Sequence, residues 1–400
     1  MVAERQVADA EEAAVLAGCE AAWERLHERI APRFGRVEVR ARVRRYLAGL
    51  LGHVERKNGW QMAEAIGEDG PQGVQRLLNA AVWDAEAVRD DLRAYVVEHL
   101  GEAVSGVLVV DESGFPKKGD ASCGVAPQYC GAVGQTTNSQ VGVFLGYASR
   151  HGVAFVDCAL YLPRVWGKDR ARCTTVGVPH GVRFVTKVAL AKRLLARAFA
   201  ADVPARWVVA DSLYGRTHHV RQWLEGQGRP PVVGVLSAQV VEHAGRRQRV
   251  TALADDLPVE AWVRRSAGDG SQGPRVHDWA CVALSEEAPA GMRRWLLVRR
   301  ALDDPTDRTY FRAYGAAETT LEELVRVGGM RSAIEEGFAQ AKGEVGLDHY
   351  EVRRWDAWHR HVTLGLLAHA YLAVVAAGAR PDTVGAGQKG ALHLPCSARP

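Results

Sequence analysis

The first hundred residues carry apolar side chains at helical spacing. Trp23, Leu26 and Ile30 stand at positions i, i+3 and i+7, and residues 46–54 continue the pattern. The segments WQMAEAIG (60–67) and PQGVQRLLNAAVWD (71–84) predict two short helices joined by a tight turn, with a proline suited to the first turn of the second helix. Helix-turn-helix modules that enter the DNA major groove have this pattern, and so do ordinary helical hairpins.

Strand-like apolar runs replace this pattern from about residue 105. The runs are VLVV (107–110), SQVGVFLGYAS (139–149), VAFVDCALYLP (153–163), RWVVA (206–210) and PVVGVL (231–236). One helical segment, AKRLLARAFAAD (191–202), lies between the third and fourth of them. Consecutive strands followed by strand-helix alternation predict an α/β fold with a mixed sheet flanked by helices.

The pattern changes twice more before the C-terminus. Between residues 240 and 305, charged and glycine-rich pieces such as HAGRRQR and SAGDGSQGP separate short apolar runs, which predicts a small strand-rich insertion. The chain is helical from Thr319. Residues 362–379 are apolar enough to resemble a membrane span, but the polar side chains of Thr363, His369 and Tyr371 favour a buried helix, so no membrane partner is expected. An irregular tail is predicted over residues 380–400.

Composition places the chain among cytoplasmic globular proteins. Of the 400 residues, 47% are hydrophobic and 24% charged, and the length predicts two or three folded units. The seven cysteines include no C-x2-C pair, so reduced thiols are expected rather than a zinc ribbon or a disulfide framework. The start, MVAERQVADAEEAA, is charged and shows no apolar segment typical of a signal peptide.

Positive charge is concentrated in one helical segment. Between Glu24 and Lys57 the sequence has ten Lys or Arg and four Glu, whereas the whole chain carries a net charge of only +4. The most closely spaced of these cations are Arg40, Arg42, Arg44 and Arg45. Such an excess suits a polyanion such as DNA, and a solvated helix face is the alternative interpretation.

An acid follows the first predicted strand in VLVVDESGFPKKG (107–119). Asp111 stands at the predicted C-terminal end of the strand, Gly114 and Pro116 break the chain, and Lys117 and Lys118 follow. Taken alone, the carboxylate could simply be a turn residue.

The same arrangement recurs in RWVVADSLYG (206–215), where Asp211 ends a second apolar run. The carboxyl ends of strands are where α/β sheets place their chemistry. A third candidate acid lies in the predicted helix MRSAIEEGFAQAKG (330–343). Three converging carboxylates could hold two hard divalent cations through oxygen, and such pairs of ions catalyse phosphodiester displacement. Coincidental acids at strand ends are the alternative.

Together these motifs resemble the DDE transposases of bacterial insertion sequences. The segments VVDESGFPKKG and VADSLYG and the spacing R-x3-E-x6-K (Arg331, Glu335, Lys342) are similar to the branch of that family with a Y-x2-R-x3-E-x6-K signature. The resemblance extends over roughly residues 20–375 and includes APRF, RKNGWQMAE, QYCGAVG and GLDHYEVRRWDAWHRH.

The resemblance implies a ribonuclease-H-like domain formed by residues 103–240 and 306–379. It also implies a helical N-terminal DNA-binding region (1–102), a strand-rich insertion (241–305) and the tail. The implied catalytic residues and metal ligands are Asp111, Asp211 and Glu335, and the implied cofactor is a pair of Mg²⁺ ions, with Mn²⁺ as a substitute.

The implied partner is double-stranded DNA, both at transposon ends and at the target, bound by a homodimer that associates with the nucleoid. Arg331 and Lys342 would hold phosphates, and Lys117 and Lys118 would do the same or lie in a solvated turn. Arg353 and Arg354 would contact DNA together with Trp355, Trp358, His359 and Arg360, unless the tryptophans pack under the last helix.

Helix geometry favours Glu335 over the adjacent Glu336 as the third acid. At about 100° per residue, Arg331, Glu335 and Lys342 share a stripe about 40° wide. An apolar face containing Ile334 borders this stripe, whereas Glu336 lies about 140° from Arg331 and is expected to meet solvent.

One position departs from the family signature, because Gly328 stands where the signature has tyrosine. The expected function is metal-dependent hydrolysis at the ends of an insertion sequence, followed by transfer of the 3′ hydroxyl into target DNA. The alternative is a catalytically impaired remnant that binds the ends and regulates transposition. A phosphatase with an aspartyl nucleophile is disfavoured, because Ser113 occupies the place of its second aspartate.

Overall fold

The computed structural model describes residues 2–270 and 273–379, in which helices occupy most of the first hundred residues. The helices are α1 (Val2–Ile30), α2 (Val37–Leu51), α3 (Gly59–Ala65), α4 (Gln72–Asn79) and α5 (Ala85–Leu100). The side chain of Asn58 caps α3 by accepting the N–H groups of Trp60 and Gln61, both at 3.0 Å. The helical prediction for this region, including the short pair α3 and α4, is confirmed.

Six strands then build the first part of the sheet. They are β1 (Val107–Pro116), β2 (Ala126–Cys130), β3 (Gln135–Ser149), β4 (Gly152–Tyr161), β5 (Trp207–Ala210) and β6 (Pro231–Val235). The order β4-β3-β1-β5-β6 has antiparallel pairs from β4 to β1 and parallel pairs from β1 to β6. This mixed sheet is ribonuclease-H-like, as predicted.

Helices connect the parallel strands and cover the sheet. They are α6 (Arg164–Lys168), α7 (Arg170–Thr175), α8 (Lys187–Ala200), α9 (Ser212–Gly215) and α10 (His218–Gly226). The buried face of α8 consists of leucine and alanine, including Leu194 and Ala198, and it contacts β3 and β4.

The predicted strand-rich segment, residues 240–305, forms a separate two-stranded hairpin and three strands that extend the same sheet. A small hairpin, β7 (Val240–His243) and β8 (Arg246–Arg249), precedes α11 (Val250–Asp255). Four antiparallel strands then add to the edge of β6 in the order β12-β11-β10-β9. They are β9 (Val263–Gly270), β10 (Gly273–Ala283), β11 (Met292–Arg300) and β12 (Arg308–Ala316). The division of the chain into functional domains stays a prediction.

Helix α12 (Leu321–Gly343) is continuous and packs on the sheet. Its predicted apolar face is confirmed, because Ile334 and Ala341 are fully buried. At its N-terminal half the backbone lies so close to β9 that a Cβ added at Gly329 would lie 2.5 Å from the Cβ of Ala267. A Cβ at Gly328 would lie 3.4 Å from Leu297, so the sheet itself fills the space beside this departure from the signature.

Helix α13 (Trp355–Gly378) connects the N-terminal helices to the sheet. By length and hydropathy it could cross a membrane, yet 61% of its apolar window is buried inside the protein. It contacts α2, α5 and β4, and the Tyr46 hydroxyl lies 2.8 Å from Nδ1 of His361. The prediction of a buried helix is confirmed.

A buried ionic cluster joins three of these elements. Asp157 on β4 is fully buried, and Arg89 and Arg93 of α5 and Arg197 of α8 all contact its carboxylate, at 3.1, 3.4 and 2.8 Å. The backbone N–H of Cys158 donates to the same carboxylate at 2.8 Å. The cluster therefore fixes α5 and α8 on the antiparallel part of the sheet.

All six cysteines among the described residues are free, as the sequence predicts. The predicted irregular tail, residues 380–400, lies outside the described residues.

Candidate active site

The two aspartates lie on adjacent parallel strands. Val110 of β1 pairs with Ala210 of β5, so Asp111 and Asp211 follow at the same level of the sheet. Parallel pairing stops there, but β1 does not end at Asp111 as the sequence suggested. It continues to Pro116, because residues 112–116 remain paired with β3. Asp111 therefore lies in the middle of a long strand, at the point where β1 and β5 separate.

The carboxylate of Asp211 is held by the start of α9. It accepts the backbone N–H of Leu213 at 2.9 Å and that of Tyr214 at 3.4 Å. This N-cap arrangement explains why an Asp-Ser-Leu-Tyr-Gly sequence follows the strand, and it fixes one carboxylate oxygen while the other is available.

Asp111 is partly buried, and the charges of the neighbouring acids affect its pKa. Burial raises its pKa to about 7, with the negative charges of Asp211 and Glu335 adding to the effect. The backbone N–H of Glu112 and the guanidinium of Arg331 oppose that rise. Asp111 and Asp211 thus lie side by side, with Arg331 and Glu335 within electrostatic reach of Asp111, and the catalytic roles of these residues stay a prediction.

Helix α12 carries the predicted third acid, Glu335, on its accessible side. Glu335 is 53% exposed and pairs with Arg331 one turn earlier, at 3.2 Å. Glu336 was expected to meet solvent, but it forms an ion pair with Arg275 of β10 at 2.7 Å. The β9–β10 hairpin extends alongside α12 and meets that side of the helix, which the sequence pattern of the helix could not reveal. Lys342 is half-buried, with its Nζ 5.6 Å from the ring centroid of Phe115.

The donor set fits hard divalent cations. All three acids offer oxygen, and burial raises the pKa of the Asp111 carboxyl, so a bound divalent cation would stabilise its ionised form. Within the residues that the structure describes, no three His, Cys, Asp or Glu side chains are already grouped as a metal site. For Glu335 to join the two aspartates, its contact with Arg331 would have to open.

Lys117 is not a solvated turn residue. Its Nζ lies 3.6 Å from the ring centroid of Tyr350 and donates to the carbonyl of that residue at 2.9 Å. Burial lowers the pKa of Lys117 to about 8. Lys118 is exposed. A phosphate-binding role for either lysine stays a prediction.

The four arginines predicted to bind DNA differ in their surroundings. Arg42 pairs with Glu68 at 2.7 Å, Arg44 pairs with Glu24, and Arg40 donates to the carbonyl of Phe34 at 2.6 Å. Arg45 is exposed and has no ion pair within the described part of the chain.

The basic-aromatic segment before α13 is partly buried. Arg353 is exposed, and Arg354 pairs with Asp356 at 3.2 Å. Trp358 is fully buried on the inner side of α13 itself, with its Nε1 donating to the Tyr350 hydroxyl at 3.0 Å, so this tryptophan packs in the core. Trp355 is half-buried.

A second polar group beside the acids was missed from the sequence. Lys187 at the start of α8 donates to Glu112 at 2.7 Å, and the buried Tyr214 hydroxyl donates to the same carboxylate at 3.4 Å. The sequence features that could have indicated this polar group are the two adjacent acids, Asp111 and Glu112, and the tyrosine of the segment DSLYG. Because side chains alternate along a strand, Glu112 faces away from Asp111 and braces α8 and α9.

Two comparisons with known proteins agree with this geometry. The chain is 24% identical over 317 residues to a probable transposase for insertion sequence element IS701 from Microchaete diplosiphon, covering 77% of this chain and 75% of that relative. The family model described as DDE superfamily endonuclease matches residues 29–254, a range that contains both aspartates and more than half of the chain. With two aspartates in register on the parallel strands of a ribonuclease-H-like sheet and an acidic helix beside them, the chain belongs to the DDE superfamily endonucleases.

Proposed function

We propose that this protein is an insertion-sequence transposase that cuts DNA at the ends of its element and joins the freed 3′ hydroxyl to target DNA. The observation that carries the proposal is the parallel register of Val110 with Ala210, which sets Asp111 and Asp211 side by side within electrostatic reach of Glu335. Such a carboxylate set suits phosphoryl transfer at a DNA backbone better than chemistry that needs a thiol or imidazole.

In this proposal the three acids hold a pair of Mg²⁺ ions, with Mn²⁺ as a substitute. Bound divalent ions supply an activated attacking oxygen and stabilise charge on the leaving oxygen. Arg331 and Lys342, from the same stripe of α12, hold the phosphates that flank the scissile bond. The N-cap of α9 keeps Asp211 fixed, so the acid is preorganised before DNA arrives.

The N-terminal helices are the proposed site of end recognition. The exposed side of α4 carries Gln72, Gln75 and Arg76, which are side chains able to hydrogen-bond base edges in the major groove. The opposite side is buried, and Arg360 of α13 anchors the end of α4 by donating to the carbonyl of Leu78 at 3.0 Å. Two copies of the chain would pair the two ends.

A cleavage assay tests the proposal. Supercoiled plasmid carrying the gene with its flanking DNA is incubated with purified protein in Mg²⁺, Mn²⁺, Ca²⁺ or excess chelator. Nicking at the element ends in Mg²⁺ and Mn²⁺, and binding with little cleavage in Ca²⁺, is the expected result. An Asp111→Asn protein purified in parallel controls for contaminating nuclease. Full activity in chelator would refute the metal-dependent site.

The second candidate is a DNA-binding remnant that regulates without cutting. Gly328, in place of the signature tyrosine, is the observation that favours it. At this position an added Cβ would make ordinary contacts with Leu297 at 3.4 Å and Trp279 at 3.7 Å, so the packing of α12 on the sheet does not itself require glycine. Specific binding of the ends without nicking in any divalent ion would support the remnant.

A further inference from the structure

Arg299, near the end of β11, continues a row of side chains that faces α12. Side chains alternate along a strand, so Trp295, Leu297 and Arg299 share one face. Trp295 and Leu297 belong to the main core under α12, whereas Leu296 and Val298 belong to a second cluster on the other face. The strand therefore directs a cation toward the helix that carries the third acid.

The guanidinium of Arg299 is poorly compensated. Its neighbours in register are Trp279 on β10 and Thr309 on β12, and its Nη2 donates to the Thr309 hydroxyl at 3.1 Å. Arg299 is only half-exposed, and it makes no ion pair with a carboxylate of the described residues. The next residue differs, because Arg300 pairs with Asp278 at 3.3 Å and covers the ring of Trp262.

Helix α12 brings a second arginine to the same place. Gly328 packs on Leu297, and Arg331 and Glu335 follow along the helix toward Arg299. Burial lowers the pKa of Arg299, repulsion from Arg331 lowers it further, and Glu335 and the more weakly acting Asp307 oppose this change. The guanidinium of Arg299 nevertheless remains charged, because arginine does not lose its proton in proteins. Nε of Arg331 is also buried without a hydrogen-bond partner among the described residues.

Arg331 thus pairs with one exposed carboxylate, whereas Arg299 forms no ion pair within the described residues, and Nε of Arg331 lacks a hydrogen-bond partner there. We propose that Arg299 and Arg331 together bind a single phosphate of the DNA backbone next to Asp111, Asp211 and Glu335. Planar guanidiniums match phosphate oxygens with paired hydrogen bonds, and a buried cation gains more from such an anion than a solvated one. The inference rests on the proposed function and adds a residue from the inserted strands to its site.

The arrangement also connects DNA binding to the acids. In the DNA-free protein Arg331 is engaged by Glu335. A phosphate held jointly with Arg299 would draw Arg331 away from that carboxylate, and Glu335 would become available to complete the set of three acids. The site would therefore be completed by its substrate.

Binding of a duplex that carries an element end, measured by fluorescence anisotropy in Ca²⁺ over a series of salt concentrations, tests the proposal. Arg299→Ala is expected to bind roughly ten- to a hundredfold more weakly, as for loss of a hydrogen bond between charged groups. The slope of log affinity against log salt should fall by about one. Arg299→Lys should recover part of the loss. Arg293→Ala, an exposed arginine at the other end of β11, should match the wild type.

A double-mutant cycle tests whether the phosphate is shared. The losses in Arg299→Ala and Arg331→Ala should be far from additive if one phosphate contacts both residues, and additive losses would overturn the shared site. Thermal unfolding midpoints of all variants identify misfolding. If Arg299→Ala does not fold, the same binding measurements are made with Arg299→Lys, which keeps the positive charge and nearly the same length.

Wild-type affinity and salt slope in Arg299→Ala would refute this inference and leave the proposed function intact. Absence of end binding by the wild type would instead refute the proposed function. The two failures are therefore distinguishable.

Discussion

Nη2 of Arg331 lies 3.2 Å from Oε1 of Glu335, one turn further along α12. Exposed pairs at this spacing contribute little stability, so the contact can open at small cost. Glu335, the proposed third acid, therefore lies beside a cation in the DNA-free protein, within electrostatic reach of Asp111 but not grouped with it.

Substitutions of the two adjacent glutamates, Glu335 and Glu336, are expected to have very different effects on nicking activity. Glu335→Gln should abolish Mg²⁺-dependent nicking, a loss of at least about a hundredfold, because the acid set loses one anionic oxygen donor. DNA binding should persist, since the substitution removes a negative charge. The measurement is nicking rate and end affinity for both variants in parallel.

Glu336→Gln is the matched control on the same helix. It breaks the ion pair with Arg275, so a small loss of stability is expected, with most of the activity retained. The reverse ranking of the two variants would contradict the assignment of Glu335.

The sequence predicted the elements of this site better than their surroundings. Apolar periodicity located β1, β5 and α12, and the register of buried strands follows from their pattern. It could not reveal that β1 continues past Asp111, because Gly114 and Pro116 look like breakers until their pairing with β3 is known. Nor could it pair Glu336 with Arg275, a contact between segments about sixty residues apart.

Ionisation of Asp111 is expected to destabilise the metal-free protein. Its pKa in the fold is about 7, above its usual value of 3.8, so between about pH 4 and pH 7 the folded protein keeps a proton that the unfolded chain releases. Stability from this group is therefore lost as the pH rises through that range. Asp111→Asn removes the effect and should gain about 1–3 kcal/mol at pH 8 in chelator.

Urea unfolding of Asp111→Asn and wild type at pH 4.5 and pH 8 measures this difference. The gain should fall to about a quarter of its pH 8 value at pH 4.5, because there the folded side chain stays protonated and only the unfolded chain releases its proton. Mg²⁺ should narrow the gap at pH 8 by stabilising the wild type. An equal gain at both pH values would contradict the assigned pKa.

Alanine substitutions at two glycines of α12 should change the stability of the protein in opposite directions. At Gly329 the added Cβ would lie 2.5 Å from the Cβ and 2.6 Å from the carbonyl oxygen of Ala267, so Gly329→Ala should cost about 1–3 kcal/mol. At Gly337 the nearest atoms would be 3.7 Å away, an ordinary contact. Gly337→Ala should therefore stabilise the helix by up to about 1 kcal/mol. Thermal unfolding of the two variants tests the close approach, and equal effects would contradict it.

The carboxylate of Asp157 should be among the most stabilising polar groups in the fold. Asp157→Asn keeps the shape but leaves Arg89 and Arg93, both nearly buried, without their central anion. Breaking a buried pair in this way typically costs about 3–5 kcal/mol. Urea unfolding measures the loss, and Asp255→Asn, which breaks the exposed pair with Arg308, is the control expected to change little. Comparable losses in both variants would contradict the role of the cluster.

The N-terminal arginines should contribute differently to DNA binding, depending on whether a carboxylate of the protein already neutralises their charge. Arg45 is exposed and lacks an ion pair within the described residues, whereas Arg44, its neighbour on α2, pairs with Glu24 of α1. A DNA phosphate that binds Arg44 must compete with Glu24, whereas a phosphate that binds Arg45 competes with no carboxylate of the described residues. Arg45→Glu should therefore weaken DNA binding several-fold and reduce the salt slope by about one, because one fewer counterion is released.

Arg44→Glu makes the same change in charge one residue away, and it should affect binding less while loosening the contact between α1 and α2. Anisotropy titrations over a salt series measure both effects, and thermal midpoints separate binding from folding. A larger binding loss in Arg44→Glu, at an unchanged midpoint, would contradict this ranking and move the DNA-contacting face of α2 toward α1.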